Sequence, residues 1–153
     1  MTRKEIIQML RSYRRVRRES ELLRNRILKK RDEMYSIRAM VTNSSNVRSG
    51  SISDIVEQII EQIDSLIHHY TKRLSDIQTA EQRVVRLIES VNDTERRSVL
   101  FMHYIEGRTY LEIGEKMTYS ERSICSRHNE AVSELCERYK DIPADAVLPQ
   151  TPD

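Results

Sequence analysis

The residues best equipped for covalent or metal chemistry are four histidines and two cysteines, and their spacing assembles no reactive centre. Cys125 and Cys136 form no CxxC pair. On one helix they stand roughly 16 Å apart, too far for a disulfide. Cys125 and His128 are at i, i+3, which can supply two metal ligands, but no second pair accompanies them. His68 and His69 are neighbours, so on a helix they point about 100° apart and share a metal poorly. His103, next to Tyr104, is expected to be partly buried, and His128 to pack on the side of Ile124, Ala131 and Leu135. The carboxylates form no pocket pattern, and no nucleophile motif or phosphate loop is present. The expectation is a protein that is not an enzyme and uses no cofactor or metal.

Hydrogen bonding to nucleic acid is the chemistry that the remaining residue types suit. The outward face of 120–129 is short and polar, fit for the edge of a DNA groove. RSYRRVRRES, residues 11–20, interleaves Arg11, Arg14, Arg15, Arg17 and Arg18 with Tyr13. This stripe is either an accessory phosphate-contacting surface or a solvated face pairing with Glu57, Glu61 and Asp64.

The elements that must position the polar face are marked by caps and glycines. Only three glycines occur, and Gly107 and Gly114 bracket TYLEIGEKMTYSERSICSRH, although glycine costs a helix roughly 1 kcal/mol against alanine. Asn92 with Glu95 has capping-box spacing and opens a helix through Val99, Leu100, Met102 and Tyr104. Gly107 suits a left-handed helix stop. Thr109 with Glu112 makes a second capping box, opening 109–117, and Ser120 can cap a third helix running to about Tyr139 or Lys140. A helix, a three-residue break at 118–120 and a longer helix make a helix-turn-helix. Gly114 then lies where the second helix crosses closely, and Leu111, Ile113, Met117, Ile124, Ala131 and Leu135 supply apolar contacts.

Upstream, apolar residues recur at steps of three, four or seven from Ile6 through Leu10, Tyr13, Val16, Leu23, Ile27, Met34 and Ile37 to Val41, predicting one long helix. The polar cluster TNSSNVRSGS reads as a loop over about 42–52. A second long helix, from about Ser53 to Val91, carries the stripe Val56, Ile59, Ile63, Leu66, Tyr70, Leu74, Ile77, Ala80, Val84, Leu87 and Val91, with coiled-coil period. An antiparallel hairpin is the simplest arrangement; a parallel intermolecular coiled coil competes with it. The expected fold is all-α: a long-helix hairpin or coiled coil over 1–91, a helix-turn-helix bundle over 92–140, and a disordered tail over 141–153 marked by Pro143, Pro149 and Pro152.

Composition agrees with helices that have broad solvated faces: one third of the 153 residues are charged, there is no Trp and one Phe. No apolar run spans a bilayer and the N-terminus lacks a signal-peptide core, so the expected location is the cytoplasm, with no membrane partner. The net charge of +2 divides unevenly: residues 1–41 carry 13 basic and 5 acidic side chains, and 42–153 carry 13 and 19. Residues 92–140 hold 8 basic against 9 acidic. Phosphate contact supplies most non-specific affinity, so this module alone would bind DNA weakly without dimerisation, help from the basic helix, or a recruiting partner.

NDTERRSVLFMHYIEGRTYLEIGEKMTYSERSICSRHNEAVSEL, residues 92–135, resembles the helix-turn-helix of bacterial sigma factor region 4, with its Y-I-E-G segment, E-I-G-E helix and S-E-R-x-I recognition helix. The order of basic helix, polar loop, DIVEQII helix and helix-turn-helix further resembles small phage and prophage regulators of an ArpU-like, sigma-like group. The resemblance implies a recognition helix from Ser120 to about Leu135. On it Glu121, Arg122, Ser123, Ser126 and Asn129 would face the major groove, Arg122 pairing with guanine and Asn129 with adenine. Arg108, Thr109, Lys116 and Ser120 would contact phosphate. Arg127 departs from the family pattern, falling where sigma proteins keep an apolar residue. The implied function is sequence-specific duplex binding in transcriptional regulation, with a homodimer through the long helices and RNA polymerase as a further partner. The rivals are a phage small terminase-like packaging subunit, marked by a ring-shaped oligomer, and a helical protein-interaction module that does not meet DNA.

Overall fold

The computed structural model describes residues 1–43 and 49–147. The described residues form helices and no strand: α1 Arg3–Asn43, α2 Ser49–Glu89, α3 Thr94–Tyr104, α4 Tyr110–Met117, α5 Glu121–Arg138, and a 3-10 turn Ala144–Val147. Both long helices reach further toward each other than the polar cluster suggests. Hydroxyl side chains there do not end a helix, because they can bond its own carbonyls: Thr42 Oγ1 donates to the Arg38 carbonyl at 2.9 Å. The centre of the expected loop, 44–48, lies outside the described residues. So does 148–153, with Pro149 and Pro152 of the expected tail, whereas 141–147 form a turn and the 3-10 turn.

The chain divides into two compact units, residues 18–75 and residues 1–17 with 76 onward. The first is a helical hairpin. Five residues join Asn43 to Ser49, and Glu19 meets Arg73 at 3.5 Å, so the helices run antiparallel within one chain. Leu23, Ile27, Met34 and Ile37 of α1 and Val56, Ile63, Leu66 and Tyr70 of α2 are half-buried between them, around a buried Ile59.

The second unit owns the main core. Ile6, Leu10 and Tyr13 of α1 join Val84 and Leu87 from the far end of α2, Val91 just after it, Leu100 and Tyr104 of α3, and Ala131, Val132 and Leu135 of α5. A smaller cluster of Val99, Ile113 and Ile124, flanked by Met102, Tyr110 and Met117, joins α3, α4 and α5. The boundary expected at 91/92 therefore runs through the middle of a shared core. Each of α3 to α5 is too short to cover its apolar stripe unaided, and the ends of the long helices supply the missing surface.

Candidate nucleic-acid interface

Local chemistry sets each bend before α5. The first cap is Asp93 rather than Asn92: Asp93 accepts from the Arg96 amide at 2.8 Å. Asn92 is occupied elsewhere, its amide donating to Glu134 Oε1 at 2.8 Å and its side-chain oxygen accepting from Arg138 at 3.0 Å. At the end of α3, Gly107 takes φ +77°, in the left-handed region, and Arg108 N–H returns to the Met102 carbonyl at 2.9 Å. A Cβ on Gly107 would also stand 2.8 Å from the Arg14 guanidinium.

Thr109 and Glu112 close a reciprocal capping box at the start of α4. Its end turns on Thr118, at φ +63° and ψ +42°, and the amides of Thr118 and Tyr119 both return to the Gly114 carbonyl. Gly114 is needed here, where a Cβ would lie 2.6 Å from the Tyr119 carbonyl oxygen. The close approach is therefore by the turn backbone and the first residues of α5, not by the body of the helix. Ser120 then caps α5, accepting from the Ser123 amide at 3.2 Å.

With Ile124, His128, Ala131, Val132 and Leu135 buried, α5 presents Glu121, Arg122, Ser126, Asn129, Glu130 and Ser133 to solvent. Steps of four, three and four put Arg122, Ser126, Asn129 and Ser133 in one line along the helix. Ser123 is displaced from this line; it is half-buried and its hydroxyl accepts from Arg127 at 2.5 Å. Leu111, expected in the core, is 56 % exposed, because the caps orient α4 with Ile113 and Gly114 inward instead.

Arg127 fills an apolar position of the family pattern with a polar clamp. Its guanidinium lies 3.9 Å from the centre of the Tyr119 ring and its Nε donates to Glu95 at 3.1 Å, while Tyr119 O–H donates to the same carboxylate at 2.8 Å. The Tyr119 bond, followed by that from Arg127, holds the Glu95 carboxyl below its ordinary range. The clamp ties α3, the turn and α5 together, as an apolar contact would.

Of the expected phosphate contacts, Thr109, Lys116 and Ser120 are exposed, with both hydroxyls engaged in capping. Arg108 is half-buried and pairs with Glu106 at 2.6 Å. Arg11, Arg14, Arg15 and Arg17 are exposed on the same unit, and Arg18, also exposed, belongs to the hairpin unit. Arg3, which no sequence pattern singles out, reaches the line on α5. Its guanidinium donates to Asn129 Oδ1 at 2.8 Å and to Ser133 Oγ at 3.3 Å. The Asn129 amide nitrogen consequently points the other way, 3.7 Å from Cys125 Sγ. Both ends of the Asn129 amide are therefore engaged, the oxygen by Arg3 and the nitrogen by Cys125.

Beneath the line, Tyr104 O–H bonds His128 Nε2 at 2.7 Å, and His103 Nδ1 bonds the Arg108 carbonyl at 2.8 Å. Rings of His103, Tyr104, Tyr110 and His128 pack with centroids 4.8 to 5.7 Å apart. Burial, reinforced by the His103 charge, lowers the His128 pKa to about 4, and burial raises that of Tyr104 to about 12. Both residues are therefore neutral near pH 7, and the Tyr104 O–H remains a donor. Cys125 and Cys136 are half-buried thiols. No described residues form a group of three metal ligands, and no helix among them is long and apolar enough to cross a membrane.

Residues 87–136, about a third of the chain, match the family described as Sigma-70, region 4. No curated protein and no solved structure matches the chain. The matched stretch runs from the end of α2 into α5, and the match supports a DNA-binding helix-turn-helix formed by α4, the turn and α5.

Proposed function

We propose that the protein is a cytoplasmic transcriptional regulator of phage or prophage genes, of the ArpU-like kind, that reads duplex DNA with α5. The observation that carries this reading is the line Arg122, Ser126, Asn129 and Ser133, exposed on a helix whose other side is buried. Arg122 suits guanine, and Asn129 suits adenine, its amide exchanging the Arg3 and Cys125 bonds for the base edge on binding. Ser126 can accept or donate. Lys116 and the caps of α4 and α5 lie where a duplex backbone would pass, and they set orientation rather than sequence.

The near balance of charge in 92–140 is offset by α1. Arg3 touches α5, and Arg14 lies beside Gly107, so this helix brings cations to the flank of the reading face. Dimerisation through the long helices doubles the contacts, and a polymerase contact belongs to the same regulatory reading.

Selection of bound duplexes from a random pool, followed by salt titration, tests the proposal. Enrichment of a defined motif is expected, and Arg122→Ala should relax one position of that motif by about 1–3 kcal/mol. Lys116→Ala should instead weaken all sequences alike and flatten the salt dependence. Uniform binding with no motif, unaffected by Arg122→Ala, would rule the reading out.

A further inference from the structure

The hairpin unit carries two ridges of matched spacing and opposite charge. On α1, Arg24, Leu28, Arg31, Tyr35 and Arg38 follow one another at steps of four and three, all exposed. On α2, Glu57, Ile60, Asp64, Ile67, Thr71 and Leu74 keep the same rhythm, also exposed. The apolar members are 37 to 56 % accessible, an unusual load of large apolar side chains for a solvated face. No ion-pair partner for Arg24, Arg31, Arg38, Glu57 or Asp64 occurs among the described residues.

Both ridges lie on one broad side of the hairpin. Each follows by one residue, or about 100°, the line that its helix turns inward: Leu23, Ile27, Met34 and Ile37 on α1, and Val56, Ile59, Ile63 and Leu66 on α2. Right-handed helices running antiparallel carry such positions to the same side. Between 24–38 and 57–74 the opposite side shows Arg26, Lys29, Glu33 and Ser36 beside Gln58, Gln62 and Ser65; its exposed apolar residues, Leu22, Met40 and Ile55, stand outside that stretch.

We infer that this side is the interface with a second copy of the chain, joined as an antiparallel four-helix bundle by a two-fold axis along the helices. That axis lays α1 of one copy over α2 of the other. A single antiparallel register then sets Arg31 by Asp64, Arg38 by Glu57, Leu28 by Ile67 and Tyr35 by Ile60 of the facing copy. The alternative axis, across the helices, would set α1 on α1 and place the arginine ridges against each other, which like-charge repulsion disfavours. A face that is complementary to itself about a two-fold axis is the signature of an isologous dimer. The arrangement leaves both open ends, at residues 18 and 75, at the same end of the bundle. This interface specifies the dimerisation proposed for the long helices and does not depend on DNA.

Sedimentation equilibrium on the full chain without DNA tests it, with helicity followed by circular dichroism. A dimer at micromolar concentration is expected; a monomer or a ring of many copies overturns the inference. Arg31→Glu and Asp64→Arg should each raise the dissociation constant at least about tenfold, and the double exchange should restore it. Ile67→Ser, which leaves charge untouched, should weaken the dimer similarly. Single reversals that leave the constant unmoved, or a double exchange that fails to recover it, overturn the pairing. Arg122→Ala should leave the dimer intact, so loss of DNA reading and loss of this interface are told apart.

Discussion

At Thr118 the backbone takes φ +63° and ψ +42°, which crowds the Cβ of a branched side chain against the following carbonyl. Four residues earlier, Gly114 accepts both amides of that turn, and no Cβ fits between it and the Tyr119 carbonyl. The two positions therefore predict opposite effects on one bend. Thr118→Gly relieves the strain and should stabilise the protein by about 1 kcal/mol, net of glycine's extra freedom when unfolded. Gly114→Ala forces the turn away from α4 and should cost about 2–3 kcal/mol. Urea titrations followed by circular dichroism read both; equal midpoints for the two variants would contradict this account of the turn.

Along α4 and α5, the capping box of Thr109 and Glu112, the Ser120 cap and the buried Ile124–Ala131–Leu135 side follow from sequence spacing, because these contacts are local or periodic. Arg3 is not legible in that way. Its partner Asn129 lies 126 residues along the chain, and a lone arginine near a terminus has no distinguishing pattern. The Arg127 clamp is hidden for a related reason, since it needs Glu95 and Tyr119 from two other elements. The buried side of α5 also makes a prediction. His128 is neutral when folded because burial, then the charge of His103, opposes its protonation; Arg3 and Arg11 of α1 add to this, and a bond involving Asn129 opposes it in part. The folded pKa, about 4, is below the ordinary value near 6.5 of an unfolded chain. The unfolded chain thus binds the proton first as pH falls. Full stability is expected above about pH 6.5, with a decline of about 1 kcal/mol per pH unit toward pH 4. His103, shifted the same way by burial, adds to the decline. Urea midpoints at pH 7 and pH 5 should differ, and His128→Leu should shrink the difference; an unchanged slope in that variant would remove His128 as its source.

The order of helices can be read from the sequence of the whole molecule, but not the partition of its core. Periodicity treats α1 and α2 as a pair of equal length and the last third as a domain apart. Packing assigns Ile6, Leu10, Val84, Leu87 and Val91, all fully buried, to the same core as Leu100 and Leu135. Neither apolar stripe announces at which residue its partner changes, since a heptad rhythm fits a hairpin neighbour and a bundle neighbour equally. This sharing has a direct consequence for the recognition unit. A chain begun at Asn92 keeps α3, α4 and α5 with the small Val99–Ile113–Ile124 cluster, yet exposes Leu100, Tyr104, Val132 and Leu135, whose partners have gone. The apolar area left is that of a domain too small to offset its conformational entropy. The fragment should therefore show little helix and no cooperative thermal transition by circular dichroism. Within the intact chain, Leu10→Ala should cost about 2–5 kcal/mol despite lying outside the matched region, as a fully buried leucine does in any close-packed core. A fragment that melts cooperatively, together with a Leu10→Ala protein as stable as its parent, would mean that the helix-turn-helix stands without the first helix.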